Sequence, residues 1–528
     1  MPNTASQHVA AAEEHLGRGD LNGAYRHART ALSLDRNNGR AHYVTSLIAT
    51  EKGAHQDALK LCQIAISLDG ESGDYLAQLA LCHLHLRHRI VARRYASAAK
   101  RQSPSSSSAL DALGRVFHAL GLFADALDCL KALAAQEKSN TVAHSNLGSA
   151  LVLCGQIGAG VSSFRTALAL DSDNADAYYN LSLARQASPA DNLIEALERR
   201  LPAARDAPRR AKMLMALAIE WENLGDIDAS MRYLAQAKAA VAQTMTYVAD
   251  EDRELFEAID AYLSAAGTQT DSSSVFAPIF ITGMPRSGTT LLERILTNCE
   301  DVVSIGESSA FADLVSTSSG IQSDRLVHPR APGAWPQGRS LLDIAESYEA
   351  YVADLVGSSR RGLNKLPLNF LLSPIIVKAL PKAKIVHVVR HPLDTIIGNY
   401  RMLFGLGDVT YGYANRLEDT AEYVAASRRL ADRMAARYPD QFHLLDFEAL
   451  IRNPAAEAFK VIEFLGLDWR DDLIEIESNK TPAGSASAVQ IRTKINDAHS
   501  GRWRRYEAYL DPAKRVLDAH NIRWAPEG

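Results

Sequence analysis

Cysteine is scarce in this chain: five residues in 528, with no two forming a C-x-x-C pair. That excludes a disulfide framework and a thiolate metal site, and it suits a reducing compartment. Long apolar runs are missing as well. No stretch of about 18 apolar residues occurs, so no membrane-spanning helix is expected. The opening residues MPNTASQHVAAAEEHLGRGD lack the basic-then-apolar pattern of a secretory signal. Cytoplasm is the expected address. A charge excess of one sign is also absent, since 57 Lys and Arg stand against 62 Asp and Glu, a net charge of −5. Nothing in that balance draws nucleic acid or an anionic membrane, so any anion site must be local. With 47% apolar and 23% charged residues, the composition excludes a wholly disordered or fibrous chain.

What is present begins with a period. Gly19, Gly53, Gly121 and Gly155 are spaced by 34 residues or twice that, and Arg87 holds the skipped position. Five residues further on stand Ala24, Ala58, Ala92, Ala126 and Gly160; twelve further on stand Ala31, Ala65, Ala99, Leu133 and Ala167. Small residues at those offsets let two helices approach closely, and glycine permits the turn between them. Polar turns fall where repeats should join, at 35–38, 69–73, 103–106 and 171–174. The pattern resembles the tetratricopeptide repeat, with five units and a sixth hairpin near 213–237 displaced by the charged insert 188–209. The repeat array is assigned to residues 1–245. Residues 246–275 read as a helix end followed by a Ser/Thr/Gly-rich linker, and a second domain fills 276–528.

That domain opens with a short apolar strand, 278–282 (PIFIT), then the loop 283–290 (GMPRSGTT), then an apolar-periodic helix. Strand, glycine loop and helix form the setting in which backbone N–H groups cradle phosphate. The lysine that would follow the second glycine in an ATP-binding loop is replaced by Thr289, and a positive charge sits inside the loop at Arg286. A metal-free, monophosphorylated donor fits better than a magnesium triphosphate. No histidine pair has ligand spacing, and no metal site is assigned.

With these residues the domain resembles the sulfotransferases, in the branch of the tyrosylprotein sulfotransferases and repeat-fused bacterial members. Segments 285–290 (PRSGTT), 364–369 (NKLPLN), 384–395 (KIVHVVRHPLDT) and 500–506 (SGRWRRY) carry the likeness in order. The resemblance implies an all-α repeat solenoid followed by an α/β, P-loop-like parallel-sheet domain. It also implies 3'-phosphoadenosine 5'-phosphosulfate as donor. Arg286, Ser287, Gly288, Thr289 and Thr290 would hold the 5'-phosphosulfate, and Arg390 the 3'-phosphate. Arg502 and Trp503 would close over the nucleotide. Glu307, after the apolar run 302–305, would be the base, with Arg286 and Lys365 as transition-state cations and Ser487 beside the leaving group. Where the family usually has serine, eight residues after Arg390, this chain has Gly398. The clamp then passes to Asn399 or Arg401, and restoring serine should tighten donor binding.

The function implied is sulfuryl transfer to an acceptor hydroxyl, a protein tyrosine or a glycan, with the repeat groove recruiting the acceptor or a protein partner. The alternative is a weak or inactive sulfotransferase-like domain on an interaction scaffold. Homo-oligomerisation stays open. A chain starting near Asp271 is expected to hold its own core and bind nucleotide.

Overall fold

The computed structural model describes residues 4–265, 272–321, 323–336, 339–357, 360–479, 495 and 500–525. The chain divides into two compact units, Met1–Ala150 and Leu151–Gly528.

The first unit is built of helical hairpins: Ala5–Gly17 with Leu21–Leu34, Gly39–Glu51 with His55–Asp69, Gly73–His85 with Arg89–Arg101, and Ser107–Ala119 with Phe123–Gln136. The 34-residue period is visible in the backbone. Gly19, Gly53 and Gly121 turn with φ near +75°, and Arg87 adopts the same left-handed conformation at φ +61°. An L side chain there costs about 1–2 kcal/mol, which hairpin packing must outweigh. Ala24, Ala58, Ala92 and Ala126 are fully buried, as are Ala31, Ala65 and Ala99. Asp20, Asn38, Ser72 and Ser106 each cap a helix by accepting the N–H three residues on. Such a cap contributes about 1 kcal/mol.

The second unit holds further helices and a five-stranded parallel sheet. Its strands are β1 (Ile279–Gly283), β2 (Val302–Ser304), β3 (Arg361–Asn364), β4 (Lys384–Val389) and β5 (Phe442–Asp446), in the order β2-β3-β1-β4-β5. The chain builds one side of β1 with β2 and β3, then crosses to the other with β4 and β5. In such sheets ligands lie at the carboxyl edge beside the central strand, where the order reverses. Every residue of β1 is buried. Ile279 and Ile281 point to one face, among Leu292, Ile295, Val386 and Val461. Phe280 points to the other, stacked on Tyr348 at 5.7 Å and meeting Phe311 edge-on at 5.9 Å.

The second face is not covered by the sheet domain's own helices alone. Hairpin Ala207–Asn223 with Ile227–Ala242 sends Leu214, Met215, Leu234 and Ala237 into the same core as Phe280. The segment read as a helix end and linker begins with a 17-residue helix, Ala249–Ala265, whose Leu255, Phe256, Ile259 and Leu263 belong to that core. Arg325 fastens it, donating to Asp252 at 2.5 Å and to Glu251 at 2.7 Å. Among the described residues, no helix is long and apolar enough to cross a membrane.

Candidate anion-binding and catalytic site

β1 ends at Gly283, and the chain turns through residues 284–288 into helix Thr289–Leu296. Two glycines are required by space. A Cβ on Gly283 would stand 2.6 Å from the Val388 carbonyl oxygen, and one on Gly288 would overlap the Phe447 ring. Arg286 itself has φ +68°, the left-handed region glycine favours. Ser287 is fully buried, and among the described residues its hydroxyl has no hydrogen-bond partner. It lines a cavity of about 250 Å³ with Arg390 and Thr395. An unsatisfied buried hydroxyl costs about 1–3 kcal/mol, and an anionic oxygen would remove that cost. The loop is therefore suited to a bound anion.

Around it the fold gathers like charges. Arg390, at the end of β4, donates from Nη1 to the Arg286 carbonyl at 2.9 Å, and its guanidinium covers the Phe447 ring at 4.7 Å. Burial pushes the Arg286 guanidinium down to about 10, with Arg502 and Arg390 adding repulsion. Arg401 is likewise pushed down to about 10 by burial, again with Arg502 nearby. Arg390 and Arg502 are lowered by burial as well. Cations held together against desolvation form a ready anion site.

Asp394 explains how residue 502 reaches this cluster. Its two carboxylate oxygens accept the Gly501 N–H at 2.7 Å and the Trp503 N–H at 2.9 Å, clipping the carboxyl-terminal block to helix Pro392–Tyr400. Trp503 stacks on His391 with ring centres 5.3 Å apart. Sequence reading missed Asp394, although its place four residues after Arg390 on a helix start was a signal.

Asn399 does a different job from Arg390. Fully buried, it donates from Nδ2 to the Pro285 carbonyl at 2.7 Å and the Thr395 carbonyl at 2.8 Å, while Oδ1 accepts from the Tyr413 hydroxyl at 3.2 Å. Its amide is committed to propping up the loop. Arg401 is ion-paired with Glu222 of helix Ala207–Asn223.

Glu307 and Lys365 follow the neighbouring parallel strands β2 and β3, so the pairing of those strands brings them together. Lys365, 1% exposed, places Nζ on the Glu307 carboxylate and 3.6 Å from Glu293. Burial opposes its charge, but Glu307 and Glu293 outweigh that and raise its pKa. The Glu307 side chain is 36% exposed and open to an incoming group. Glu293, also missed in the sequence, lies on the helix that begins at the loop, so this pair and the anion loop share one element. Ser487 lies outside the described residues.

Parallel sheet, glycine loop with Arg286 in the left-handed region, arginine cluster and the Lys365–Glu307 pair together form a candidate site for an anionic ligand. Residues 278–471 match the family model described as the Sulfotransferase family, so the carboxyl-terminal half of the chain carries a domain of that family. An uncharacterized protein of Aquifex aeolicus (strain VF5) is 32% identical over 246 residues, 46% of this chain and 32% of that protein. The chain thus spans about a third of that relative's length. A putative protein-tyrosine sulfotransferase of Caenorhabditis briggsae is 23% identical over 256 residues, covering 46% of this chain and 84% of its own. Among solved structures, the sulfotransferase domain of the Synechococcus PCC 7002 olefin synthase aligns with TM-score 0.35 at 19% identity, covering 49% of this chain and 98% of that one. YrrB, a tetratricopeptide protein with an unusual peptide-binding site, aligns with TM-score 0.23 at 20% identity over 33% of this chain and 89% of its own.

Proposed function

We propose that the protein transfers a sulfuryl group from 3'-phosphoadenosine 5'-phosphosulfate to an acceptor hydroxyl, without a metal ion. The observation that carries this reading is the convergence of Arg286, Arg390 and Arg502 on a loop whose Ser287 hydroxyl is buried and unpartnered. Residues 286–290 hold the 5'-phosphosulfate with backbone N–H groups, the Ser287 hydroxyl and the helix amino terminus. Arg390 and Arg502 take the 3'-phosphate, a doubly charged group that guanidinium grips well. Trp503, fixed by Asp394, closes over the nucleotide.

The bound donor supplies an activated sulfonyl group. Glu307, exposed and next to Lys365, receives the acceptor proton as the acceptor oxygen bonds to sulfur. The bond from sulfur to the phosphate oxygen breaks, and the charge left on that oxygen faces Arg286 and Lys365. Asn399 and Asp394 touch neither reactant; they position the loop and the closing segment. The repeat array recruits the acceptor, a protein tyrosine or a glycan, or a protein partner.

Calorimetry with adenosine 3',5'-bisphosphate and with AMP tests the donor site. The reading expects clear preference for the bisphosphate, lost in Arg390→Met. Equal affinity for both nucleotides, or none for either, would overturn the donor assignment.

A further inference from the structure

The segment that carries Arg502 and Trp503 needs support from outside itself. Arg502–Tyr509 is a 3₁₀ helix of eight residues. Runs beyond about three or four residues are uncommon, because 3₁₀ hydrogen bonds are poorly aligned. Side chains three apart eclipse in such a helix. Trp503 and Tyr506 therefore share one face, and both are buried in the core. Arg502 and Arg505 share the next face, while Arg504 and Glu507 are exposed. Whatever fixes Arg505 also sets the direction of Arg502.

Asp394 holds the start of this helix through the Gly501 and Trp503 N–H groups. Its remainder is held by the hairpin Ala207–Asn223 with Ile227–Ala242. Arg505 Nη2 donates to the Glu222 carbonyl at 3.2 Å, and its Nη1 lies 3.8 Å from the Glu222 carboxylate. One turn further, the Tyr509 hydroxyl donates to Asp228 at 2.5 Å. The Glu222 carboxylate also pairs with Arg401, whose guanidinium covers the Tyr506 ring at 5.6 Å. Arg401 directly follows helix Pro392–Tyr400, which carries both Asp394 and Asn399. Glu222, 6% exposed, thus joins the closing helix to the helix that props the anion loop. The hairpin is itself well seated: Lys238 donates to the Met402 carbonyl at 2.7 Å, and Leu403 and Leu406 pack on Ala211, Ala240 and Val241. Glu222, Arg505 and Tyr509 all lie outside residues 278–471, the part matched by the family model.

Granted the donor site, on which this rests, we propose that Glu222 is a positioning residue for the donor: it fixes Arg505, and through the three-residue register of helix Arg502–Tyr509 it sets Arg502 toward the 3'-phosphate. Glu222 touches neither reactant. A buried carboxylate shared by two guanidiniums fixes direction as well as charge, since each fork has a preferred approach. Arg502 lies close enough to Arg286 to repel its charge, so a shift of the helix takes one cation out of the cluster. AMP has no 3'-phosphate and does not sense where Arg502 stands.

Calorimetry on the full-length protein, with adenosine 3',5'-bisphosphate and with AMP, tests this role. Glu222→Gln should loosen the bisphosphate about tenfold and leave AMP unchanged, a split that general loosening of the fold does not produce. Glu507→Gln removes a negative charge from the exposed side of the same helix, where Glu507 pairs with Lys514 at 3.3 Å; it should leave both nucleotides unchanged. Tyr509→Phe cuts the bond to Asp228 without altering charge and should loosen the bisphosphate in the same selective way. It decides the matter if Glu222→Gln fails to fold. Unmoved or tighter bisphosphate binding in the deciding variant, equal loosening of both nucleotides, or a like loss in Glu507→Gln would overturn the positioning role while leaving the donor site standing. An unaltered protein that does not distinguish the two nucleotides would overturn the donor assignment and this role together.

Discussion

Gly398 leaves room for Arg286: a Cβ on residue 398 would stand 3.1 Å from the Arg286 Cβ. Arg286 cannot easily retreat, because its backbone is held in the left-handed region and its carbonyl accepts from Arg390. By resemblance to the family, Gly398 is a lost hydroxyl whose return tightens the donor clamp. The structure gives the glycine a second role, spacing the helix from the loop.

Gly398→Ser should therefore push on Arg286 and weaken, not tighten, the binding of adenosine 3',5'-bisphosphate. Calorimetry on both forms, with the bisphosphate and with AMP, checks it. Tighter bisphosphate binding would restore the lost-hydroxyl view.

Glu307→Gln should keep nucleotide affinity and lower turnover by about two to four orders of magnitude, the range for losing a general base. Lys365 retains Glu293 as a neighbouring carboxylate, so the fold should tolerate the change. Near-normal turnover on the preferred acceptor would remove Glu307 from the chemistry.

Lys238 gives a pH signature. Fully enclosed, it donates to the Met402 carbonyl at 2.7 Å, and burial lowers its pKa to about 7. The unfolded chain, with an ordinary lysine near 10.4, binds the proton more readily than the folded one. That lysine's stability contribution is complete above the unfolded value and is lost as pH falls toward 7. Lys238→Met should therefore raise thermal stability most near pH 7, and the gain should shrink as pH approaches 10. Melting curves of both proteins across that range decide it; a pH-independent difference would refute the assignment.

A chain beginning at Asp271 should not fold, contrary to expectation from the sequence alone. It would lose Leu255, Phe256, Ile259 and Leu263 from the core, side chains worth about 1.5–3 kcal/mol each. That sum is comparable with the roughly 5–15 kcal/mol that holds a domain together. A chain beginning at Gln156, in the turn after helix Thr141–Leu153, keeps these helices and should bind the bisphosphate. Circular dichroism and calorimetry on both truncations provide the comparison.

Local signals were legible in the sequence, and long-range ones were not. The 34-residue period placed the left-handed turns, down to Arg87 in a glycine position, because each hairpin's turn depends on neighbours in the chain. Strand, loop and helix around Arg286 were readable for the same reason. The Glu307–Lys365 contact was not, since it depends on β2 lying beside β3 across 58 residues. Neither was the clasp of Arg325 on Asp252, 73 residues apart, which ties helix Ala249–Ala265 to the sheet domain. Asn399 looked like a ligand by position; only its three hydrogen bonds show that its amide is already used.

The central claim is sulfuryl transfer, and label transfer measures it directly. Purified full-length protein is incubated with sulfur-labelled 3'-phosphoadenosine 5'-phosphosulfate and a cell extract supplying acceptors, with EDTA present, beside the Glu307→Gln form. Label should pass to a discrete acceptor with the unaltered protein and fall to near background with Glu307→Gln. Absence of transfer from a protein shown to bind the bisphosphate, or equal transfer by both forms, would contradict it.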